Sequence, residues 1–133
     1  MSTTQPIRSK QLLHDFKEYY LTKQPNSRNY TLILIGLNTA LRINDILHLT
    51  WGDVYCTEHS RFYTHLLITE KKTEKETRIL INRELQETLL SYRTTQPSIA
   101  DTDYLFPSPR KTGSPLSRYQ AYRIVRKAAE AVG

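Results

Sequence analysis

The 133-residue sequence predicts an α+β fold that is mostly helical, with a small three-stranded antiparallel sheet. Apolar residues recur at helical spacing near both ends of the chain, and two short segments between them alternate with period two. A chain of this length forms one domain and is long enough to bury a core. We expect residues 1–8 to form a flexible polar tail and residues 9–133 to form the folded unit.

Three helices are predicted in the first fifty residues. The first spans residues 9–21, and a turn at residues 25–26 ends that segment. The second, residues 29–38, has almost no polar face, which predicts a central buried helix. A short third helix is expected to have Asn44 as its N-cap and to end at Leu49.

The middle of the chain contains the predicted sheet. Residues 51–56 begin it, and residues 62–69 and 77–81 supply two further strands rich in β-branched and aromatic residues. The segment between those two strands, residues 70–76, is entirely polar and is predicted to be a protruding hairpin tip.

Two more helices are predicted in the last third of the chain. Asn82 is the predicted N-cap of a helix that ends near Thr95. The following loop has a short apolar anchor at residues 104–107, and Ser117 with Gln120 forms a capping box that opens the final helix. One stripe of that helix is predicted to face the core: Ala121, Tyr122, Val125, Ala128, Ala129 and Val132.

The charge of the chain favours an acidic partner. The formal net charge is +6 and the pI is about 9.5, and nucleic acid is the commonest partner of such a surplus. The alternative explanation of the positive charge is an excess of solvated surface lysine. The positions of the charges in the sequence distinguish the two explanations. After residue 109, six basic residues occur before the first acid, which is Glu130: Arg110, Lys111, Arg118, Arg123, Arg126 and Lys127.

Several other classes of function are disfavoured by the sequence. Cys56 is the only cysteine, so the chain forms no internal disulfide and no cysteine-based metal site. No apolar run reaches membrane-spanning length, and residues 1–10 lack the apolar core of a signal peptide. We therefore expect a cytoplasmic protein with no membrane partner.

The most informative segment is residues 37–54, which places Arg42 in a run that is otherwise almost wholly apolar. A guanidinium stays charged at every usable pH, and burying it among leucines is costly unless an anion meets it. We expect Arg42 to lie in the bend between the second and third helices, where its side chain reaches a surface groove. The alternative is a surface arginine paired with Asp45.

This segment resembles the first catalytic box of the tyrosine recombinases, which include the phage integrases and their Xer-type relatives. The matching features are the Leu41-Arg42 turn, an acidic residue three positions later, and the Leu-x-Trp-x-Asp-Val pattern of residues 49–54. One departure is Ala40, where many relatives have glycine. The resemblance covers residues 9–133 and implies an incomplete recombinase catalytic core.

The resemblance implies roles for individual residues of that box. Arg42 matches the arginine that holds the scissile phosphate, a task for which the forked guanidinium suits two oxygens at once. Asp45 matches the acidic position and would orient Arg42 or cap the helix that follows. No metal or nucleotide cofactor is implied.

A lysine at the hairpin tip is also implied by the resemblance. Lys72 matches the lysine that enters the minor groove of DNA and protonates the leaving 5′ oxygen, and Lys71 and Lys75 compete for this register. The family's Lys-Thr-Gly is here Lys-Thr-Glu, with Glu74 in the glycine position, which leaves the geometry of the turn open. The alternative is a solvated turn of alternating charge.

Other cations are candidates for sequence-independent binding of the DNA backbone. Arg118 resembles a phosphate contact at the start of the final helix. A solvated helix face is the alternative, above all for Arg126 and Lys127. The full set of candidates for DNA binding is Lys71, Lys75, Arg110, Lys111, Arg118 and Arg123.

The remaining catalytic groups of the family are missing from this sequence. Its four histidines are followed three positions later by residues other than arginine, and none of its nine tyrosines follows a His-x-x-Arg box. The chain therefore holds no nucleophile. We expect a catalytic domain cut before its second half, which cannot cleave DNA alone and exposes apolar surface that favours self-association.

The leading hypothesis is DNA integration or recombination, in which a parent enzyme breaks and rejoins double-stranded DNA and assembles on it as a homo-tetramer. The first alternative is a non-catalytic DNA-binding or regulatory remnant of a recombinase. A third hypothesis, a basic protein-interaction domain without a role on DNA, rests on composition alone.

Overall fold

The computed structural model describes residues 10–69 and 73–133. The tail predicted at residues 1–8 and the candidate residues Lys71 and Lys72 lie outside this range. Within it, the predicted α+β class is confirmed. The elements are α1 (Lys10–Glu18), α2 (Ser27–Asn38), α3 (Ile43–Leu47), α4 (Trp51–Val54), β1 (Tyr55–Cys56), β2 (Arg61–Phe62), β3 (His65–Thr69), β4 (Glu76–Leu80), α5 (Arg83–Thr94) and α6 (Arg118–Ala131).

Helix α2 is the centre of the core, as its apolar composition predicts. Its residues 31–35 are at most 4% exposed, and α5 packs along it. The helix begins two residues earlier than predicted, because the Asn26 side chain caps it by accepting a hydrogen bond from the Asn29 amide at 3.0 Å. Before this cap, α1 continues into a π-helical turn, Tyr19–Lys23, and the buried Tyr20 hydroxyl donates to the Ile124 carbonyl at 2.7 Å.

The short helices α3 and α4 differ from the prediction. Arg42, in extended backbone, is the N-cap of α3, so the predicted cap at Asn44 is wrong, although Asp45 lies in the first turn as expected. Residues 51–54 form a helical turn rather than a strand. The reason is local capping: the Asp53 carboxylate accepts from the Thr50 amide at 2.9 Å and closes the turn before the chain extends.

The predicted three-stranded sheet is divided into two antiparallel ladders in the described residues. β1 pairs with β2, and β3 pairs with β4 from His65 opposite Leu80 to Thr69 opposite Glu76. The long strand predicted over residues 62–69 is interrupted after Phe62, where the Tyr63 amide donates to the Val54 carbonyl at 2.8 Å. The inner face of the second ladder buries Leu66.

The last third of the chain largely follows the sequence prediction. Asn82 caps α5 and Ser117 caps α6, with distances to the capped amides of 2.9 and 3.1 Å. The anchor at residues 104–107 is held by the Tyr92 hydroxyl, which donates to the Leu105 carbonyl. The predicted burial of Tyr122 and Ala129 is wrong: Tyr122 is 48% exposed and Ala129 is exposed, and Ile124 takes the place beside Ala121 and Ala128 in the core.

The turn between α2 and α3 is closed by side chains and by one strained backbone position. The buried Thr39 hydroxyl donates to the Ile35 carbonyl at 2.7 Å and accepts from the Leu41 amide at 3.3 Å. Ala40 follows with φ of +53°, the left-handed conformation that glycine adopts without a steric penalty. The glycine of many relatives thus has a conformational reason at this position.

We expect Ala40→Gly to stabilise the fold. Glycine relieves about 1–2 kcal/mol of strain at a left-handed position. It also increases the conformational entropy of the unfolded chain, which offsets part of this, so the expected net increase in stability is about 0.5 kcal/mol. The matched control is Ala129→Gly in the exposed face of α6, which should cost about 0.5–1 kcal/mol. Urea unfolding of both variants measures this, and equal destabilisation by both would contradict the strain at Ala40.

Helix α1 is joined to α5 by an ion pair between Lys17 and Glu84. The hydrogen bond from Lys17 holds the pKa of Glu84 below its ordinary value, opposed in part by burial and assisted by a second hydrogen bond from Asn38. The same hydrogen bond raises the pKa of Lys17. The unfolded chain therefore binds a proton at Glu84 more readily than the folded chain does.

This pair should make the stability fall in acid. Its contribution is complete above the unfolded pKa of Glu84, about 4.3, and is lost as pH falls through the lower folded pKa. We expect Glu84→Gln and Lys17→Met each to reduce the same part of that fall, measured as the urea midpoint between neutral pH and about pH 3. A pair of variants with the full wild-type pH dependence would show that the ion pair contributes nothing.

Candidate nucleic-acid interface

Arg42 lies at the point where the chain leaves the core between α2 and α3. Its carbonyl accepts the Ile46 amide at 3.1 Å as the start of α3, and its side chain is exposed rather than buried. In residues 10–69 and 73–133 no carboxylate pairs with its guanidinium, and Asp45, although only three residues away and half-buried, is not a partner. The local pairing with Asp45 is therefore not formed, and the charge of Arg42 is available to an external anion.

The β3–β4 hairpin carries the second group of candidate residues. Glu74 has a φ of +55°, so the residue in the family's glycine position keeps the left-handed conformation that glycine favours. Lys75 follows with an exposed side chain, and its amide donates to the Thr73 hydroxyl at 3.2 Å. Lys71 and Lys72, which precede this turn, lie outside the part of the chain that the structure describes.

The first half of helix α6 presents two arginines and two tyrosines to solvent. Arg118 is its first residue, Tyr119 and Tyr122 are 69% and 48% exposed, and the guanidinium carbon of Arg123 lies 5.8 Å from the centre of the Tyr119 ring. This contact is within the range of a cation–π interaction. Sequence reasoning found the arginines of this face but assigned Tyr122 to the core.

An open groove of about 540 Å³ separates α6 from the turn that leads into α2. Four cations line it against the single carboxylate of Glu130: Arg28, Arg123, Arg126 and Lys127. We call this the cationic groove. Arg126 and Lys127, for which a solvated helix face was the expectation, are part of its wall.

Arg28 was missed by sequence reasoning because no local signal marks it. It is the second residue of α2, its Nε donates to the Asn29 side chain at 2.9 Å, and it meets the basic run of α6 only through the fold. The loop candidates Arg110 and Lys111 are exposed, and their amides donate to the Ser108 hydroxyl at 3.2 and 3.1 Å. They do not line the cationic groove.

The structure therefore brings together only part of the candidate set. Arg123 joins Arg28 and the end of the basic run in one groove. Arg42 lies at the start of α3 and Lys75 lies just before β4, and neither forms an ion pair within the described residues.

Two tyrosines are committed to structural hydrogen bonds. The Tyr20 and Tyr92 hydroxyls donate to backbone carbonyls, and burial raises the pKa of Tyr92 to about 12. Such hydroxyls are poor nucleophiles because they are buried, protonated and already bonded.

In residues 10–69 and 73–133 no three histidines, cysteines or acids cluster as metal ligands do. None of the helices in those residues is long and apolar enough to span a membrane.

The sequence of the chain is similar to a protein family and to individual proteins. Residues 4–133 match the model of the phage integrase family. The chain is 43% identical over all 133 residues to a protein described as probable integrase/recombinase YoeC of Bacillus subtilis (strain 168), of which it spans 67%. It is 35% identical over 101 residues, 74% of this chain, to the type 1 fimbriae regulatory protein FimB of Escherichia coli (strain K12), of which the match spans 47%.

The fold is also found in a solved structure. A crystal structure of XerA recombinase superposes with a TM-score of 0.71 at 20% identity, and covers 95% of this chain. That match spans 42% of the XerA chain, so the present chain corresponds to between two fifths and two thirds of the relatives it matches. Since the family model matches nearly every residue, the chain belongs to the phage integrase family.

Proposed function

We propose that this chain supplies the phosphate-binding part of a tyrosine-type, site-specific DNA recombinase. Its parent enzyme would break and rejoin double-stranded DNA as a homo-tetramer. The observation that carries the proposal is the exposed Arg42 at the N-cap of α3, without a protein counter-charge in the described residues and within the family's first catalytic box. An unpaired guanidinium on a fixed turn can donate hydrogen bonds to two non-bridging oxygens of one phosphate.

Asp45 of the box and Lys72 of the hairpin also have roles in this proposal. Asp45 stabilises the first turn of α3, where a carboxylate interacts favourably with unsatisfied amides, and so holds the helix that Arg42 caps. Lys72 donates a proton to the leaving 5′ oxygen. The left-handed Glu74 supports this register over Lys71 and Lys75, since it falls where the family's Lys-Thr-Gly requires it.

The cationic groove and the α6 face bind the DNA backbone away from the scissile phosphate. Arg28, Arg123, Arg126 and Lys127 lie in the groove, and one carboxylate among four cations leaves it net positive. Phosphate oxygens release bound counterions when they meet such cations, which gives affinity without base specificity. Lys75, Arg110, Lys111 and Arg118 would add contacts of the same kind along the DNA.

A non-catalytic DNA-binding or regulatory protein is the second candidate. It is favoured by the cationic groove, which can bind a DNA backbone without a nucleophile. The coding sequence after codon 133 distinguishes the two candidates. A His-x-x-Arg followed by a tyrosine there supports the enzyme, and an immediate stop codon supports the second candidate.

We expect Arg42→Ala to weaken binding of duplex DNA by about tenfold, because a charge-assisted contact to phosphate is lost. The slope of log affinity against log salt should fall by about 0.9. Fluorescence anisotropy at several salt concentrations measures both quantities. Arg61→Ala, at an exposed arginine of β2 outside the groove, is the control and should change neither; an unchanged slope for Arg42→Ala would contradict the phosphate contact.

We expect no covalent complex between this chain and DNA. A suicide substrate, which traps the 3′-phosphotyrosine of an active recombinase, should leave no shifted band on a denaturing gel, because no tyrosine here follows a His-x-x-Arg box. An active tyrosine recombinase on the same assay is the positive control. A band that appears with this chain and is lost in a Tyr119→Phe or Tyr122→Phe variant would reveal an unexpected nucleophile.

A further inference from the structure

Two asparagine side chains form an amide bridge between α2 and α5. The Asn82 Nδ2 group donates to the Asn38 Oδ1 atom at 2.7 Å. The Asn38 Nδ2 group in turn donates to the Leu34 carbonyl at 2.9 Å and to Glu84 at 3.3 Å. Both asparagines are half-buried, where a hydrogen bond is stronger and an unmade one more costly than in bulk water.

The bridge lies between the two elements that carry the proposed chemistry. Asn38 is the last residue of α2, four positions before Arg42. Asn82 follows the end of β4 by two residues, and between them the buried Ile81 amide donates to the Thr64 carbonyl at 2.8 Å. The amide bridge therefore fastens the Arg42 turn to the base of the β3–β4 hairpin.

Helix capping does not account for this pair. Asn82 caps α5 through its Oδ1 atom, which accepts from the Leu85 amide at 2.9 Å, and serine or aspartate caps a helix equally well. Asparagine adds an amide NH2 donor, which aspartate lacks and which extends further than a serine hydroxyl. The end of α2 is already closed by the Thr39 hydroxyl, so the Asn38 Oδ1 atom is left to accept from Asn82.

We propose that Asn38 and Asn82 are positioning residues that fix the Arg42 turn relative to the hairpin base, so that the guanidinium meets the phosphate in a defined place. This inference rests on the proposed function of Arg42. The bridge acts on the turn and not on the anion, because neither asparagine is needed to contact DNA. Loss of the bridge should therefore weaken DNA binding only while Arg42 is present.

The test uses Asn82→Ser in the full chain. Serine keeps the cap acceptor and the neutral charge, but its shorter side chain lacks the amide NH2 group that donates to Asn38. The matched control is Thr88→Val, which removes one side-chain hydrogen bond from the same helix, from the Thr88 hydroxyl to the Glu84 carbonyl at 2.9 Å, at a position that does not line the cationic groove. Anisotropy with a labelled DNA duplex gives the affinity, and thermal unfolding shows that each variant is folded.

We expect Asn82→Ser to weaken DNA binding by about fivefold, the ordinary effect of losing one net hydrogen bond, and Thr88→Val to change it less than twofold. In an Arg42→Ala background the effect of Asn82→Ser should disappear. Asn38→Ala removes the other half of the bridge, so it should match Asn82→Ser, and the two together should cost no more than either alone.

Each other outcome has a distinct meaning. If Arg42→Ala weakens binding but Asn82→Ser and Asn38→Ala do not, the positioning role is wrong and the proposed function stands. If Asn82→Ser weakens binding equally without Arg42, the bridge does not act through that residue, which also overturns the inference. If Arg42→Ala itself leaves binding unchanged, the proposed function fails and the inference fails with it.

Discussion

The structure depends on the path of the chain from the buried helix α2 to Arg42. Within seven residues the chain passes from the core to an exposed side chain that is always positively charged. Ile35 is 1% exposed, whereas Arg42 is exposed at the N-cap of the next helix. A guanidinium cannot lose its charge to enter the core, so the chain has to turn outward between these residues. Thr39 closes the helix end through two backbone hydrogen bonds, and Ala40 accepts a left-handed conformation to make the turn.

Hydrogen bonds and an ion pair connect that turn to the neighbouring helices. The amide bridge from Asn38 to Asn82 ties it to α5, and the Lys17–Glu84 pair ties α5 to α1. Polar side chains at the edge of a packed core restrict movement more than apolar contacts do, because their hydrogen bonds have a fixed direction. A binding group on such a frame loses little conformational freedom when its ligand arrives.

The cations of the groove come from distant parts of the sequence and are brought together by the fold. The basic run of α6 is visible in the sequence, but the cationic groove needs Arg28 as well, about a hundred residues earlier in the chain. The exposed Tyr119 and Tyr122 lie on the same helix. This mixture of cations and aromatic rings on one surface suits a nucleic-acid backbone, to which it contributes charge and flat apolar contact.

The sequence by itself determined the features whose causes lie within a turn or two of the chain. The helix caps at Asn82 and Ser117, the buried α2 and the family's first box were all predicted, because capping and periodicity depend on residues three or four positions apart. The turn at Ala40 and the role of Arg42 as N-cap, rather than Asn44, depended on backbone geometry that the sequence left open.

Only the tertiary structure decided which distant groups meet. The Trp51 and Gly52 amides at the start of α4 donate to the carbonyls of Asp103 and Asp101, both at 2.9 Å. Arg28 entered the cationic groove, and Tyr122 left the core, through the way α6 packs on the rest of the chain. Such contacts join residues tens of positions apart, and their energy depends on the whole packed arrangement, so no local pattern contains it.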